Sequence, residues 1–400
     1  IKAAYDSVDR SVIWQQLIGH IDHGMLYLLQ NMFDDVRISV VLKNQQSRWI
    51  QPKRGVLQGS KLSPMLYALF IDTLPHSLRL DVRRPILLKT PRVHHLSEFE
   101  ASLLSRNHHI NMPEITIMPI TSLLYADDVA LFGSYDDVLT MLAAAERHSI
   151  ENGYRWHPGK CVILNAPDAP ERTVPFQLYN TPIPLRNQFT YLGIPFNGTG
   201  IDHEAMVKHL SSKTTRTMEM LRRIGAHQYG FGLGTALRIY RTFVRPVLEY
   251  GLAITKLNKE PTEAIEKAQT KCIRLAINVV TRRPIPTIVQ KHIADLQSME
   301  IRADILRYKF VWRALHGPDS TLLHSLMESF LEPNEGEAYP DNEWKAISRG
   351  DSENPALYQM YRDLTSHQPL PRDSKKHIII VTKYKEMHER RDKFPAVARA

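Results

Sequence analysis

The chain has 400 residues, enough for two or three domains with a large core, and its apolar content of 43% is ordinary for a globular protein. Its 51 Lys and Arg exceed its 42 Asp and Glu, and the resulting net charge of +9 favours a polyanionic partner. The presence of only 2 cysteines excludes a disulfide framework and a Cys-rich zinc module, and no apolar run reaches the roughly 18 residues that a membrane span needs. The sequence therefore predicts no membrane partner.

Apolar periodicity and turn residues predict alternating helices and short strands in the first half of the chain. The predicted elements are a helix over 6–33, strands over 36–42 and 47–50 that pair as a hairpin, a glycine-punctuated loop over 55–60, helices over 63–78 and 141–150, and short strands over 153–164 and 188–196. Asp6 or Ser7 could cap the first helix, and Pro64 stands in the first turn of the helix over 63–78.

Residues 79–119 are polar and lack clear periodicity, so we predict a loop inserted between core elements. Two pairs of histidines lie in this loop, namely His94 with His95 and His108 with His109. Because no cysteine or carboxylate stands nearby at a matching spacing, a solvated loop is favoured over a metal site.

The most informative segment is Tyr125-Ala126-Asp127-Asp128, because two adjacent carboxylates interrupt an otherwise apolar stretch there. The apolar runs on either side predict a strand, a turn and a strand, with both carboxylates at the tip of the hairpin. Carboxylates this close repel each other, and a cation that prefers hard oxygen ligands, such as Mg²⁺, relieves the repulsion. The alternative is an Asp-Asp turn on a solvated surface.

From residue 203 onward the chain is predicted to be mostly helical, with breaks at 225–234, at Pro261 and at 284–286. Residues 201–315 hold 20 Lys or Arg against 10 Asp or Glu, which accounts for the excess of positive charge. We expect the aromatic residues of this segment to pack in the core, and the tail beyond residue 317 to be partly flexible. Its arginines are candidates to bind nucleic-acid phosphates, with an affinity that falls with salt, and these are Arg216, Arg222, Arg223, Arg238, Arg241 and Arg245.

Five segments, taken in order, resemble the motifs of reverse transcriptases from non-LTR (LINE-type) retrotransposons. They are 1–6 (motif A), 54–64 (motif B), 125–128 (motif C), 153–161 (motif D) and 189–193 (motif E). Motifs B and C are each specific. The resemblance covers residues 1–315 and is weakest after Pro261.

This resemblance implies an α+β fold with a right-hand polymerase palm, in which helices pack on an antiparallel sheet, followed by a mostly helical thumb and C-terminal region. We expect the palm with part of the fingers at 1–200, including the inserted loop at 79–119, the thumb at 201–285, and a helical region with a partly flexible tail at 286–400. The implied activity is RNA-directed DNA synthesis by two-Mg²⁺ nucleotidyl transfer to a primer 3′-hydroxyl, with Mn²⁺ able to replace Mg²⁺. The implied partners are an RNA template, a DNA primer and dNTPs, and the implied location is the nucleus.

The resemblance also implies roles for individual residues. Asp127 would be a principal metal ligand and Asp128 an accessory one, while Lys160 would protonate the leaving pyrophosphate and Tyr5 would exclude a ribose 2′-hydroxyl. The remaining implied sites are the nucleotide site at Gln58, Gly59 and Tyr125, and a primer-gripping hairpin tip at Tyr191, Leu192 and Gly193. The structural alternatives are a half-buried aromatic for Tyr5 and a surface lysine for Lys160. For Gln58 and Gly59 the alternative is a helix-entry turn, and for residues 191–193 it is simple core packing.

In this family, motif A places a metal-binding Asp directly before the residue that matches Ile1. We therefore expect the chain to be a fragment that carries part of the metal site, lacks the upstream fingers and is inactive by itself. One alternative is a non-catalytic nucleic-acid-binding remnant of such an element. Another is a group II intron-type maturase, against which residues 191–193 and 238–250 favour the LINE type.

Overall fold

The computed structural model describes residues 1–91, 115–165, 167, 175–277, 286–315, 317–318, 321–324 and 326. The described residues fall into two compact units. The first takes in Ile1–Lys89 and Thr116–Asn187, and the second takes in the described residues of Thr90–Ile115 and those from Gln188 onward. Both contain helices and short antiparallel strand pairs, which confirms the mixed α+β class.

The first unit contains short helices and two-stranded sheets. Its described helices are α1 (Ala4–Ser7), α2 (Arg10–Leu17), α3 (His23–Asp34), α4 (Ser63–Ile71), α5 (Leu74–Arg79) and α6 (Tyr135–Glu151), with a 3₁₀ turn at Pro158–Lys160. Its strands pair in sequence order, as β1 (Val41–Leu42) with β2 (Gln45–Gln46), β3 (Ile86–Pro91) with β4 (Ile115–Ile120), β5 (Ser122–Tyr125) with β6 (Asp128–Leu131), and β7 (Gln177–Leu178) with β8 (Thr181–Pro182).

The predicted helix over 6–33 is three helices, because two aspartates start new ones. Asp9 accepts a hydrogen bond from Ser11 N at 3.0 Å, and Asp22 accepts one from Met25 N at 2.9 Å. These are N-caps, so the predicted caps at Asp6 and Ser7 are wrong. The predicted helix over 63–78 is also divided, since the proline at position 75 lacks the N–H that would continue α4 and stands instead in the first turn of α5.

Other predictions have mixed outcomes. The hairpin over 36–50 is confirmed with shorter strands, as are the helix that contains 141–150 and the strands at 188–196. Strands β3 and β4 occupy the two ends of the predicted loop at 79–119, so a loop throughout is wrong there, and its four histidines lie outside the described residues. The predicted strands over 153–164 are wrong, because this segment is a 3₁₀ turn with one isolated bridge at Ile163.

The core of the first unit is built by helices α2, α4, α5 and α6. Its largest fully buried side chains include Ile13, Tyr67, Phe70 and Met141. His148 is buried among them, with Nε2 at 2.8 Å from Thr73 Oγ1 and Nδ1 at 2.9 Å from the Tyr154 hydroxyl. Both ring nitrogens are therefore used, and neither is open to solvent.

The second unit begins with an antiparallel sheet, and its described residues from His203 onward are mostly helical, as predicted for that part of the chain. Its strands are β9 (Gln188–Tyr191), β10 (Ile194–Asn197) and β11 (Gly200–Ile201), in the order β11-β10-β9. Its helices are α7 (His203–Arg223), α8 (Leu233–Ile239), α9 (Arg245–Leu248), α10 (Lys259–Ile277), α11 (Thr287–Ile293) and α12 (Met299–Leu315), with a π turn at Tyr240–Val244 between α8 and α9. Pro261 lies inside α10 and does not interrupt it, which corrects the predicted break.

The π turn has a local cause. The proline at position 246 has no N–H to donate to the carbonyl of residue 242, and the preceding Arg245 N–H bonds instead to Tyr240 O, five residues back. Beyond the turn, the Glu249 carboxylate accepts hydrogen bonds from Arg302 Nε and Nη2 at 2.7 and 2.9 Å, and it pairs with Arg245 Nε at 2.8 Å. This cluster joins α9 to α12 in the interior of the unit.

We expect the stability of the first unit to fall as the pH drops below the ordinary pKa of histidine. Burial holds the pKa of His148 below its usual 6.5, so the unfolded chain takes up the proton first and the neutral ring's stabilisation is lost as the pH falls through this range. Urea unfolding at about pH 8 and about pH 5 should show a weaker pH dependence for His148→Gln than for the wild type. The slope of the unfolding free energy against pH should differ between the two proteins by at most about 1.4 kcal/mol per pH unit, which is the limit for one proton. Equal slopes would contradict the prediction.

Candidate active site and nucleic-acid surface

The hairpin β5–β6 carries the two candidate metal-binding carboxylates at its tip, as the sequence predicted. Leu124 pairs with Val129, and both side chains pack against the core of the first unit. The turn between the strands consists of Ala126, with a φ of +52°, and Asp127. Because paired side chains lie on the same face of the hairpin, Leu124 and Val129 anchor that face in the core, and the polar tip extends beyond it.

Neither tip carboxylate has a protein partner among the described residues. Asp127 is half-buried and Asp128 is exposed, and no hydrogen bond or ion pair joins either carboxylate to another side chain there. Tyr125 stands directly opposite Asp128 in the strand pairing and is exposed. Two adjacent hard-oxygen donors that no protein cation neutralises fit part of the ligand set of a divalent metal ion.

The beginning of the chain runs beside this tip. The Ile1 nitrogen donates to Asp127 O at 3.4 Å, and Lys2 N donates to Arg155 O at 2.9 Å. Motif A, the carboxylate tip and the motif D segment therefore meet through backbone contacts. Lys160 ends the 3₁₀ turn of that segment and is exposed, and no ion pair links it to Asp127 or Asp128.

An aromatic stack that the sequence analysis missed supports Tyr5. The Tyr5 and Tyr67 rings lie 5.2 Å apart between centroids and 9° from parallel. Tyr67 is 1% exposed, and its hydroxyl is buried without a hydrogen-bond partner in the described part of the chain. Burial, then the negative charge of Asp127 and then Tyr5 raise the pKa of Tyr67 far above its usual range, so the hydroxyl keeps its proton.

The motif B loop is fixed to the segment that carries Tyr5. Gly55 N donates to Val8 O at 2.8 Å, and Val56 N donates to Tyr5 O at 2.9 Å. Gly55 has a φ of +91°, and a Cβ there would lie 3.0 Å from Tyr5 O. Only glycine permits so close an approach with this backbone conformation.

Gln58 and Gly59 lie farther along the same loop and are exposed. Gly59 has a φ of +92°, and a Cβ there would meet nothing within 4 Å. The space above this glycine is therefore open to a ligand. A second link that sequence reasoning missed is Arg54, which pairs with Asp9 at 3.4 Å and donates to Gly153 O at 3.4 Å.

The predicted primer grip forms the tip of the hairpin β9–β10 in the second unit. Leu192 and Gly193 make the turn, with φ values of +47° and +79°, and Tyr191 precedes them at the end of β9. The Tyr250 hydroxyl donates a hydrogen bond to Leu192 O in this turn.

The six candidate arginines of the second unit differ in exposure. Arg216, Arg223, Arg238 and Arg241 are exposed, Arg222 is half-buried, and Arg245 is buried at 6% exposure in its ion pair with Glu249. Because Arg245 lies in the interior, its guanidinium has no exposed surface that could bind a phosphate. The exposed arginines have no ion pair with another described residue.

The aromatic residues among these arginines divide in the same way. Tyr240 is fully buried, whereas Tyr229 is 76% exposed and Phe243 is 67% exposed. The expectation that such residues pack in the core is therefore wrong for Tyr229 and Phe243, and also for Tyr250, which is half exposed. A groove between α7 and α10 adds basic and hydroxyl groups, and it is lined in part by Ser212, Thr215, Arg216, Lys267 and Lys271.

Neither a cluster of metal-binding side chains nor a membrane-spanning helix occurs among the described residues. No group of three or more His, Cys, Asp or Glu side chains in that part of the chain is arranged to hold a metal ion. Within the same residues, no helix combines the length and apolar character needed to cross a membrane.

A matched pair of glycine substitutions tests the geometry of the motif B loop. Gly59→Ala should destabilise the first unit by about 1–2 kcal/mol, because a Cβ is strained at this φ but meets no atom. Gly55→Ala should cost about 1–3 kcal/mol more, because its Cβ would also press on Tyr5 O and Asp6. Urea unfolding of both variants measures the difference, and equal losses would contradict the close approach at Gly55.

Comparison with known proteins finds similarity over the first half of the chain. Residues 1–196 match the family described as reverse transcriptase (RNA-dependent DNA polymerase). The retrovirus-related Pol polyprotein from type-1 retrotransposable element R2 of Popillia japonica is 28% identical over 211 residues, which cover 50% of this chain and 30% of that relative. Its counterpart from Nasonia vitripennis is 27% identical over 216 residues, which cover 50% of this chain and 18% of that relative.

The matched segment thus spans less than a third of either relative's own length. The family match agrees with the resemblance to RNA-directed DNA polymerases that the motifs predicted, and it implies a palm-type fold. Over residues 1–196, the chain belongs to the reverse transcriptase family, in the group carried by non-LTR retrotransposons.

Proposed function

We propose that this chain carries the palm and part of the nucleic-acid-binding surface of a retrotransposon polymerase that copies RNA into DNA. One observation supports the proposal above the others. The tip of the β5–β6 hairpin presents Asp127 and Asp128 without a protein partner among the described residues, beside Ile1 and near the stacked Tyr5 and Tyr67. A surface turn does not require a buried tyrosine that senses the charge of its carboxylate, as Tyr67 senses that of Asp127.

The two tip carboxylates would hold part of a magnesium site. Bound Mg²⁺, or Mn²⁺ in its place, would supply charge neutralisation for the attacking primer oxygen and for the leaving pyrophosphate, with two ions implied by the family. Because the Ile1 nitrogen is 3.4 Å from Asp127 O, a residue bonded to that nitrogen would stand next to Asp127. The family places a further carboxylate at that position of motif A.

The neighbouring residues would bind and orient the incoming nucleotide. The Tyr5 ring, held flat against Tyr67, would lie under the sugar and exclude a ribose 2′-hydroxyl. The Gln58 amide can donate and accept hydrogen bonds, and the open space at Gly59 admits the substrate close to the backbone. Tyr125 would border the same site, and Lys160 would give a proton to the leaving pyrophosphate.

The second unit would bind the template and primer strands. Its exposed arginines would pair with phosphates, while the exposed Tyr229 and Phe243 offer rings on which bases can stack. The half-buried Arg222 stays a candidate for the same role, and Tyr191, Leu192 and Gly193 would contact the primer end. The proposed setting is the nucleus, where a retrotransposon copies its RNA into chromosomal DNA.

The metal role is tested by Asp127→Asn in a polymerase chain that extends a DNA primer on an RNA template. Loss of one principal ligand removes several kcal/mol of charge stabilisation, so extension of a DNA primer on an RNA template should fall by at least about 100-fold. The matched control is Asp136→Asn, which neutralises an exposed carboxylate in the first turn of α6 and should leave extension unchanged. The rise in melting temperature on addition of Mn²⁺ should also disappear in Asp127→Asn only.

Two results would count against this assignment. Wild-type extension by Asp127→Asn would contradict the metal role of the carboxylate. A wild-type chain that binds template and primer with salt-sensitive affinity, yet extends nothing, would instead indicate a non-catalytic nucleic-acid-binding remnant.

The sugar-gate role is tested by replacing the Tyr5 ring. Tyr5→Val should raise the kcat/KM ratio of rNTP to dNTP by roughly tenfold or more, because the clash with the 2′-hydroxyl is removed. Tyr5→Phe keeps the ring and should retain the wild-type ratio. Single-nucleotide extension with each substrate class measures both variants, and an equal loss with rNTP and dNTP in Tyr5→Val would indicate a packing role only.

A further inference from the structure

The tip of the β9–β10 hairpin holds a backbone conformation that a leucine does not favour. Leu192 has a φ of +47° and Gly193 a φ of +79°, between the paired residues Tyr191 and Ile194. A two-residue turn of this kind matches the twist of the strands, but a non-glycine residue at positive φ needs support from its surroundings.

That support comes from Tyr250, which follows α9. Its hydroxyl donates to Leu192 O at 2.5 Å, across 58 positions of the chain. Its ring covers the second turn residue, since a Cβ on Gly193 would lie 3.3 Å from the Tyr250 ring. One side chain therefore contacts both residues of the turn, by a hydrogen bond at the first and by packing at the second.

The next residue secures the strand beyond the turn. Gly251 has a φ of +84°, and a Cβ there would lie 2.8 Å from Ile194 Cδ1 and 3.0 Å from Met206 Sδ. Ile194 is buried and begins β10. The Tyr250-Gly251 dipeptide thus sits against the hairpin from the tip to the first residue of its second strand.

Tyr250 is itself held by the interior of the unit. Its neighbour Glu249 is fixed by Arg245 and Arg302, and Leu248 and Leu252 on either side are buried. The Tyr250 side chain, by contrast, is 50% exposed. Its position is therefore set by its anchored backbone, while half of the ring remains at the surface beside the turn.

We propose that Tyr250 is a positioning residue for the Leu192–Gly193 turn and, through that turn, for the sugar–phosphate backbone at the 3′ end of the DNA primer. The inference rests on the proposed function, because the hairpin tip is taken to be the primer grip. A residue that only packed the core would be expected to bury its whole ring, because complete burial stabilises the unit more. The half-exposed ring of Tyr250 therefore favours a role at the hairpin tip.

The first test measures the anchor without any polymerase activity. Tyr250→Phe removes the hydroxyl and keeps the ring, so hydrogen exchange of the amides in residues 188–197 should accelerate about five-fold. Tyr240→Phe is the matched control, because it removes a hydroxyl that donates to Gln269 Oε1 at 3.4 Å elsewhere in the same unit. Unchanged exchange in Tyr250→Phe would overturn the proposed anchoring.

The second test measures the position of the primer end. In the polymerase chain, Tyr250→Phe should lower the ratio of kcat/KM for a matched primer terminus over a mismatched one by about five-fold, with the same ratio retained in Tyr240→Phe. If the wild type extends primers but Tyr250→Phe keeps the wild-type ratio, the positioning role is overturned and the proposed function stands. A wild type that binds primer and template without extension overturns the proposed function, and the primer role of Tyr250 with it.

Discussion

The first unit holds two neighbouring carboxylates, Asp127 and Asp128, at a hairpin tip where no described cationic side chain pairs with them. Their mutual repulsion opposes folding at this site, and the packing of Leu124 and Val129 against the core holds the hairpin in place while its tip remains polar. The surrounding contacts follow from that anchor. The start of the chain reaches the tip at Asp127, and the segment that follows it carries the Tyr5–Tyr67 stack and pairs with the motif B loop.

The second unit depends on a buried carboxylate. Glu249 sits between Arg245 and Arg302, where the desolvation of three charges is offset by short, directed hydrogen bonds. A buried ion cluster of this kind contributes little net stability, yet it permits only one arrangement of α9 against α12. The strict geometry of the following residues, Tyr250 and Gly251, is a consequence of that restriction.

Local patterns in the sequence predicted the parts of the structure that local forces decide. The hairpin at 122–131 follows from its apolar alternation and its polar tip, and so does the hairpin at 36–50. Helix boundaries were less accurate, because the apolar periodicity of 6–33 continues through the caps at Asp9 and Asp22 and hides them. A capping aspartate is visible in the sequence, but only its hydrogen bond distinguishes it from other acidic residues.

The residues that were missed are those whose role depends on a distant partner. Tyr67 lies in the apolar run of α4 and looks like an ordinary core residue, and only its stack on Tyr5 and its unpaired hydroxyl set it apart. Its signal in the sequence is a lone phenol within that apolar run. Arg245 looks the same in the sequence as Arg238 and Arg241, because the interior cluster that it forms with Glu249 also needs Arg302, which is far away in the chain.

The π turn at Tyr240–Val244 explains why Arg238 and Arg241 are exposed whereas Arg245 is buried. An α-helix advances by about 100° per residue, so positions three and seven apart fall on one face, and Arg238, Arg241 and Arg245 would form a single stripe in a regular helix. The wider turn inserts one residue into the period and shifts the phase of everything beyond it. Arg238 and Arg241 keep the outward phase, while Arg245 rotates into the interior to meet Glu249. A single proline thus divides one basic stripe into a surface half and a structural half.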